Sequence, residues 1–267
     1  MRAYRLLPTT ILSPDETRKE DDLVAVESAL EVRVGNEFIA GFVCTPGLEK
    51  ELAMGYMIST GIVDTAADIK EIRYSSNRCS VTLREQARID TQRGFSQVRR
   101  FIGTECSAPE ILRTLRTAEG IPVMPHHTAV LFSRILGASK LMFEAQVGRK
   151  RTGALHGAII HHISEKVHVF AEDLGRHNAV DKAIGLATEQ DLDLCNCFAI
   201  STGRLTADVV SKCAYASIPL LVSFAVATDA GIKFAQKANL TLVGAFKGKR
   251  MRLYNSGAAK IVMKPEG

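Results

Sequence analysis

The densest run of groups able to bind or move charge in this 267-residue chain is Glu172-Asp173-Leu174-Gly175-Arg176-His177-Asn178, with Asp181 and Lys182 following closely. It lies between an apolar run read as a strand and a helical pattern. That is the position, outside the carboxyl ends of the strands, where open α/β sheets bind ligands. A helix N-terminus offers free N–H groups to an anion, and the Arg176 guanidinium can fork onto phosphate or carboxylate. The same residues also make an ordinary charged turn, with Asp173 or Asn178 as the helix cap.

Ser201-Thr202-Gly203-Arg204-Leu205-Thr206, with Asp208, occupies the equivalent place after the next strand. Gly203 lets a ligand approach the backbone, and Ser201 and Thr202 can donate to phosphate. A third loop, Phe246-Lys247-Gly248-Lys249-Arg250-Met251-Arg252, groups cations on a tight turn and suits a diphosphate; its alternative is a solvated hairpin turn. Thr152-Gly153-Ala154-Leu155-His156 enters a strand, and His156 is either a ligand and proton relay or a structural histidine. His161, His162 and His168 fall on a hairpin and read as structural, because neighbouring strand residues face opposite ways.

Six cysteines are present, with no Cys-x-x-Cys spacing among them. Cys195 and Cys197 share one face of a strand and read as small core side chains, as does Cys213 in a helix. Cys106 alone falls in a loop before a helix, near Arg99 and Arg100, where a helix dipole and cations favour thiolate.

The elements that must position these groups follow from periodicity. Residues 1–22 read as a polar lead-in. Leu30–Val34 and Phe38–Cys44 form a hairpin about Gly35-Asn36, and a helix capped by Thr45 with Pro46 at its first position runs to Gly61. A second hairpin spans Ile69–Ser75 and Cys79–Leu83; one helix spans Pro109–Glu119, and another begins near His127. The second half reads as strands Gly157–Ile163 and Val167–Ala171, helix Asn178–Thr188, strand Cys195–Ser201, helix Thr206–Ser217, strand Leu220–Phe224, helix Asp229–Ala238 and strand Leu240–Phe246. The all-apolar runs Phe198-Ala199-Ile200 and Leu220-Leu221-Val222 suit interior strands covered on both faces. The fold class is α/β, with a smaller N-terminal α+β domain at 1–120 and a layered α/β domain at 121–267.

Composition narrows the function. A net charge of +5 is too small for a dedicated nucleic-acid binder but suits an anionic small molecule, and 6% aromatics with no Trp argue against a base-stacking platform. No run approaches the roughly 18 apolar residues of a membrane span, and six cysteines are too few for a secreted disulfide scaffold. The expectation is a cytoplasmic protein with reduced thiols, binding neither nucleic acid nor membrane.

The run Glu172 to Lys182 closely resembles the signature of the formate dehydrogenase accessory (FdhD) family. The match extends through Thr152–His156, Ser201–Arg204 with Lys212, Leu240–Gly244 and Thr45–Glu49, in the family's order. The resemblance implies a homodimeric sulfur carrier with a cytidine-deaminase-like second half. Such a protein takes persulfide sulfur from a cysteine desulfurase and passes it to the bis-molybdopterin guanine dinucleotide cofactor, which then enters formate dehydrogenase. It implies Cys106 as the sulfur-carrying residue. The cofactor-binding set would be the segment Phe246, Lys247, Gly248, Lys249, Arg250 and Met251, together with Gly175, Arg176, His177, Asn178, Gly203, Arg204 and His156. Where relatives carry Cys-x-x-Cys in a glycine-rich loop, this chain has Cys106-Ser107-Ala108-Pro109, so release of sulfur by a disulfide within that loop is not available to it. The alternatives are a cofactor-binding chaperone without persulfide chemistry and a zinc nucleoside deaminase. The latter lacks its ligands here: His156-Gly157-Ala158 has no glutamate and no Cys-x-x-Cys follows.

Overall fold

The computed structural model describes residues 3–85, 87, 101–102, 121–125 and 128–264. The Cys106 loop, the Pro109–Glu119 helix, the His126-His127 pair and the domain boundary at 120 lie outside the described residues. The architecture is mixed α/β. Residues 3–25 form a separate hairpin of β1 (Tyr4–Leu12) and β2 (Thr17–Ala25) rather than a lead-in without structure. Its charged second strand and the proline in its first conceal the alternation that usually betrays a strand.

A five-stranded sheet follows, built from β3 (Ser28–Val34), β4 (Glu37–Cys44), β5 (Ile69–Ser75), β6 (Arg78–Leu83) and β7 (Phe101–Ile102) in the order β5-β6-β3-β4-β7. Helix α1 (Glu49–Ser59) packs against it. Its cap is Leu48, not Thr45, because Gly47 and Leu48 both take positive φ and delay the first helical residue. That delay frees Thr45 for a different task.

The second sheet has the order β10-β9-β11-β12-β13-β14, formed by β9 (His156–His162), β10 (His168–Asp173), β11 (Cys197–Ser201), β12 (Leu220–Ser223), β13 (Thr241–Lys247) and β14 (Arg250–Asn255). Strands β11, β12 and β13 are parallel, as the apolar runs require, and β9 and β14 are antiparallel to their neighbours. The helical pattern expected from His127 begins instead at Phe132, after strand β8 (Thr128–Leu131), which pairs in parallel with β15 (Ala259–Val262). No local signal announces a strand whose partner lies some 130 residues away. Cys195 sits in a single 3₁₀ turn capped by Asp193 and is exposed, so only Cys197 has the core role read for both.

Alternate side chains of the central strands feed two cores. Ile159, Phe198, Ile200, Leu220 and Val222 pack under α2 (Phe132–Ala145). Ile160, Ala199 and Leu221 belong to a second cluster with α4 (Arg176–Glu189), α5 (Ala207–Tyr215) and α6 (Asp229–Lys237). The short α3 (Val147–Thr152) precedes β9. The second cluster runs without a break into α1 and the five-stranded sheet.

The crossing of α1 and α4 is what makes that continuity close. A Cβ at Gly55 would overlap the carbonyl group of Asp181, and one at Gly185 the backbone of Glu51. Both obstacles are backbone, so neither can rotate aside. Gly185→Ala should therefore destabilise the fold by about 1–3 kcal/mol or more and lower Tm by several degrees in a thermal melt. An unchanged Tm would show that the two helices are free to separate.

Candidate functional site

All six strands of the second sheet bring an end to one edge. Register pairs Asp173 with His156 and Ser201 with Ala158, so the end of β10, the start of β9 and the end of β11 share that edge. Lys247 ends β13 on the same side, because β13 runs parallel to β12 and β12 to β11. Two strand spacings, about 10 Å, separate β11 from β13, and four, about 19 Å, separate β10 from β13. The Arg176 and Arg204 loops are consecutive along the chain, yet β9 lies between their strands.

The first loop is held by one buried carboxylate. Asp173 Oδ2 accepts from the Thr45 amide at 2.9 Å and pairs with Lys182 Nζ at 2.7 Å. Its Oδ1 accepts from the Gly175 amide at 2.8 Å and from Asn178 Nδ2 at 3.0 Å. Thr45 completes the tie: its hydroxyl accepts from the Leu174 amide at 3.0 Å, and its carbonyl accepts from Lys182 Nζ at 2.7 Å. Helix α4 starts at Arg176 with Gly175 as its cap, so Arg176, His177 and Asn178 occupy its first turn rather than a loop before it. Asn178 is not the cap; it is buried, and its amide also donates to the Val43 carbonyl at 2.9 Å.

A second buried pair lies deeper on α4. Lys212 Nζ meets both oxygens of Asp181, at 2.8 and 2.7 Å, and the Ser59 hydroxyl donates to the same carboxylate at 2.6 Å. Lys212 also lies over the Tyr56 ring, 5.3 Å from its centroid. Burial pushes the Asp181 carboxyl up from its ordinary value, opposed by Lys212 and Ser59. Ser59 does not stand out in sequence, and Thr45, Asp181 and Lys212, though they fall in or beside the motifs, give no sign there of these contacts, because α1 and α4 are more than a hundred residues apart.

Around the strand ends, Arg176 packs its stem over Gly203, where a Cβ would lie 2.8 Å from the arginine Cβ. Glycine is required there by contact, not by backbone conformation. Gly203 is further held by its amide donating to Ser201 Oγ at 3.1 Å and its carbonyl accepting from Ser223 Oγ at 2.6 Å. His156 Nδ1 lies 3.1 Å from Thr202 Oγ1, and burial with Arg149 and Arg176 nearby lowers its pKa. His177 is lowered to about 3 by burial, then by Lys212, Arg176 and His156. Its Nε2 is buried without a hydrogen-bond partner among the described residues, as is Thr206 Oγ1, and Asp208 Oδ2 lies 3.9 Å from it. Arg204 is exposed. The surroundings of the two neutral histidines are electropositive, with Arg149, Arg176 and Lys212 nearby.

The third loop is a two-residue turn, Gly248-Lys249, with Gly248 at φ 61°. Lys247, Lys249 and Arg250 are exposed, whereas Phe246 is buried with its ring stacked on Phe224 at 5.3 Å, and Met251 packs against the same cluster.

The remaining thiols are poor nucleophiles. Burial pushes Cys44, Cys79, Cys197 and Cys213 up to about 12 and raises the exposed Cys195 as well.

A model of the FdhD/NarQ family matches residues 25–261. The chain belongs to the FdhD/NarQ family. Its relatives include a protein named sulfur carrier protein FdhD from Sulfurisphaera tokodaii, 31% identical over 242 residues, covering 88% of this chain and 90% of that one. Another of that name, from Nocardia farcinica, is 29% identical and covers 97% and 93% of the two chains. The fold is similar to the crystal structure of a protein described as a formate dehydrogenase accessory protein from Desulfotalea psychrophila, with a TM-score of 0.76, 23% identity, and coverage of 95% and 97%. No helix among the described residues is long and apolar enough to cross a membrane.

The buried histidine makes a pH prediction. His177 is held neutral in the folded protein to about pH 3, whereas in the unfolded chain it takes up a proton near pH 6.5. The unfolded state therefore binds the extra proton between these values. The contribution of His177 is fully present above about pH 6.5 and is lost as pH falls toward 3, by up to about 1.4 kcal/mol per pH unit. Urea midpoints between pH 7 and 4 should fall less steeply for His177→Gln than for the wild type; parallel curves would refute the buried, neutral histidine.

Proposed function

We propose that this member of the FdhD/NarQ family is a cytoplasmic sulfur carrier serving formate dehydrogenase, with Cys106 receiving the sulfur. The names of its relatives support the carrier role. The observation that carries the assignment to Cys106 is the state of the other thiols: all five are shifted away from thiolate, the form that attacks a persulfide. Strand β7, which ends four residues before Cys106, runs parallel to β4, whose end leads into Thr45 and so to the Asp173 loop.

The reaction is a transfer of sulfane sulfur. The Cys106 thiolate attacks the outer sulfur of a persulfide on a cysteine desulfurase, the donor's S–S bond breaks, and the donor cysteine leaves as thiolate. Sulfur then passes to the bis-molybdopterin guanine dinucleotide cofactor, the client. The S–S bond on Cys106 breaks, reduced molybdenum of the client supplies the two electrons, Cys106 returns to thiolate, and the strand-end loops accommodate the phosphates. Arg176 and Arg204 supply cations, and His177 Nε2 and Thr206 Oγ1 supply unused polar atoms in the wall. Exposed Lys247, Lys249 and Arg250 extend the positive surface toward a second diphosphate. The second half of the chain is read as cytidine-deaminase-like on the same basis.

Incubation with a cysteine desulfurase and cysteine should add about 32 Da to the wild type and to Cys195→Ala, but not to Cys106→Ala. Equal labelling of Cys106→Ala would remove that residue as the carrier. Complementation of formate dehydrogenase activity by Cys106→Ala would instead favour the chaperone reading. Separately, guanosine diphosphate should bind the wild type, and Arg176→Ala together with Arg204→Ala should weaken it at least about tenfold in calorimetry.

A further inference from the structure

A groove opens at the far end of the second sheet, away from the strand ends that carry Arg176 and Gly203. It has a volume of about 620 Å³ and lies between α2 and the β9–β10 hairpin. Strand β9 starts at the site edge with His156 and reaches the groove at His161, about 17 Å further on. Ser133, Gly137, Lys140 and Glu144 of α2 form one wall, and His161 and Lys166 belong to the other. Arg134 ties the walls together: its Nη2 donates to the Ser164 carbonyl at 2.6 Å and its Nη1 to the Glu165 carbonyl at 3.3 Å.

His161 is the buried polar group of this groove. It is 4% exposed, with its ring stacked between Phe198 at 5.4 Å and His168 at 5.7 Å, so it cannot swing aside. Its Nδ1 lies 2.6 Å from the His162 carbonyl oxygen, which puts the proton on Nδ1 and the lone pair on Nε2. Burial lowers the pKa of the ring and so favours that neutral form. Nε2 makes no hydrogen bond among the described residues. A buried acceptor in this state calls for an N–H or O–H donor.

The charge and shape of the groove narrow what supplies it. Arg134, Lys140 and Lys166 line it against one acid, Glu144. Neither Lys140 nor Lys166 has an ion-pair partner among the described residues. Ser133, Gly137, Lys140, Glu144 and Lys166 are exposed, so the groove is open along its length rather than closed over a small molecule. From Ser133 to Glu144 the helix rises about 16 Å, the reach of about five extended residues. A Cβ at Gly137 would meet nothing within 4 Å, so no packing contact requires glycine there. Inside a helix glycine costs stability relative to alanine; here it keeps the groove clear. We infer that this groove binds an extended acidic peptide segment of a partner protein. Two carboxylates reach Lys140 and Lys166, and a backbone N–H of the segment donates to His161 Nε2. Acidic residues two apart suit the pair of lysines, because they lie on one side of an extended chain. Glu144 repels acid at its own end and so sets the direction of the charged part.

This inference does not depend on the sulfur-carrier reading, since the groove shares no residue with the strand-end loops. In calorimetry at low salt the peptide acetyl-Gly-Glu-Gly-Glu-Gly-amide should bind the wild type, and its counterpart with Lys in place of Glu should not. Lys140→Glu and Lys166→Glu should each weaken binding about tenfold or more. His161→Phe, which keeps a ring in the stack, should weaken it about fivefold. Gly137→Leu should abolish binding while Tm stays the same or rises, whereas a general attraction between acidic peptide and basic protein would survive that change. Absence of peptide binding, or equal binding by Gly137→Leu, overturns the inference. Inorganic tripolyphosphate binding with the same dependence on all four variants would make the occupant a free polyanion, and a wild-type dimer dissolved by Gly137→Leu would make it a second copy; either result also overturns it.

Discussion

A single carboxylate with no contact with water carries much of this molecule's organisation. Asp173 accepts hydrogen bonds from Thr45, Gly175 and Asn178 and pairs with Lys182. A buried ion pair is not in itself a strong source of stability, since desolvation offsets its attraction. What it enforces is uniqueness: once Lys182 and Asp173 are buried, any arrangement that separates them leaves an uncompensated charge in the interior. The turn between β4 and α1, the last residue of β10 and the first turn of α4 can then meet in only one way. Arg176 and His177 inherit their positions from that constraint.

The second buried pair, Asp181 with Lys212, ties α4 to α5 and, through Ser59, to α1. Between the two pairs the helices touch at Gly55 and Gly185, where their backbones lie in contact. The polar ties and the glycine crossing act together. Glycine allows the approach, and the approach brings the Ser59 hydroxyl within reach of Asp181. The strand ends that carry Arg176 and Gly203 therefore rest on a base that joins both halves of the chain.

Cations lie near His156 and His177, and burial holds both histidines neutral. Between them, His177 Nε2 and Thr206 Oγ1 have no hydrogen-bond partner among the described residues. The thiols of the core show the opposite design: buried in apolar surroundings, they are kept protonated and inert.

The apolar periodicity of the second half is enough to specify its strands, their helices and the edge at which three basic loops collect. Burial on both faces leaves a continuous apolar run in β11 and β12, and that signal is local. The long motif from Glu172 to Lys182 likewise carries the family resemblance in its residue order alone. Other features are decided only by tertiary contact. Thr45 as a tie rather than a cap, Asn178 as a buried donor, Gly203 as a seat for Arg176, and the β8–β15 pair all depend on partners distant in sequence. The β1–β2 hairpin is illegible in sequence for a different reason: without a core beneath it, nothing imposes alternation on its residues. Sequence determines what a segment prefers when its environment is one-sided or fully buried; which polar groups meet in the interior is decided only when distant segments are brought together and each buried donor must find an acceptor.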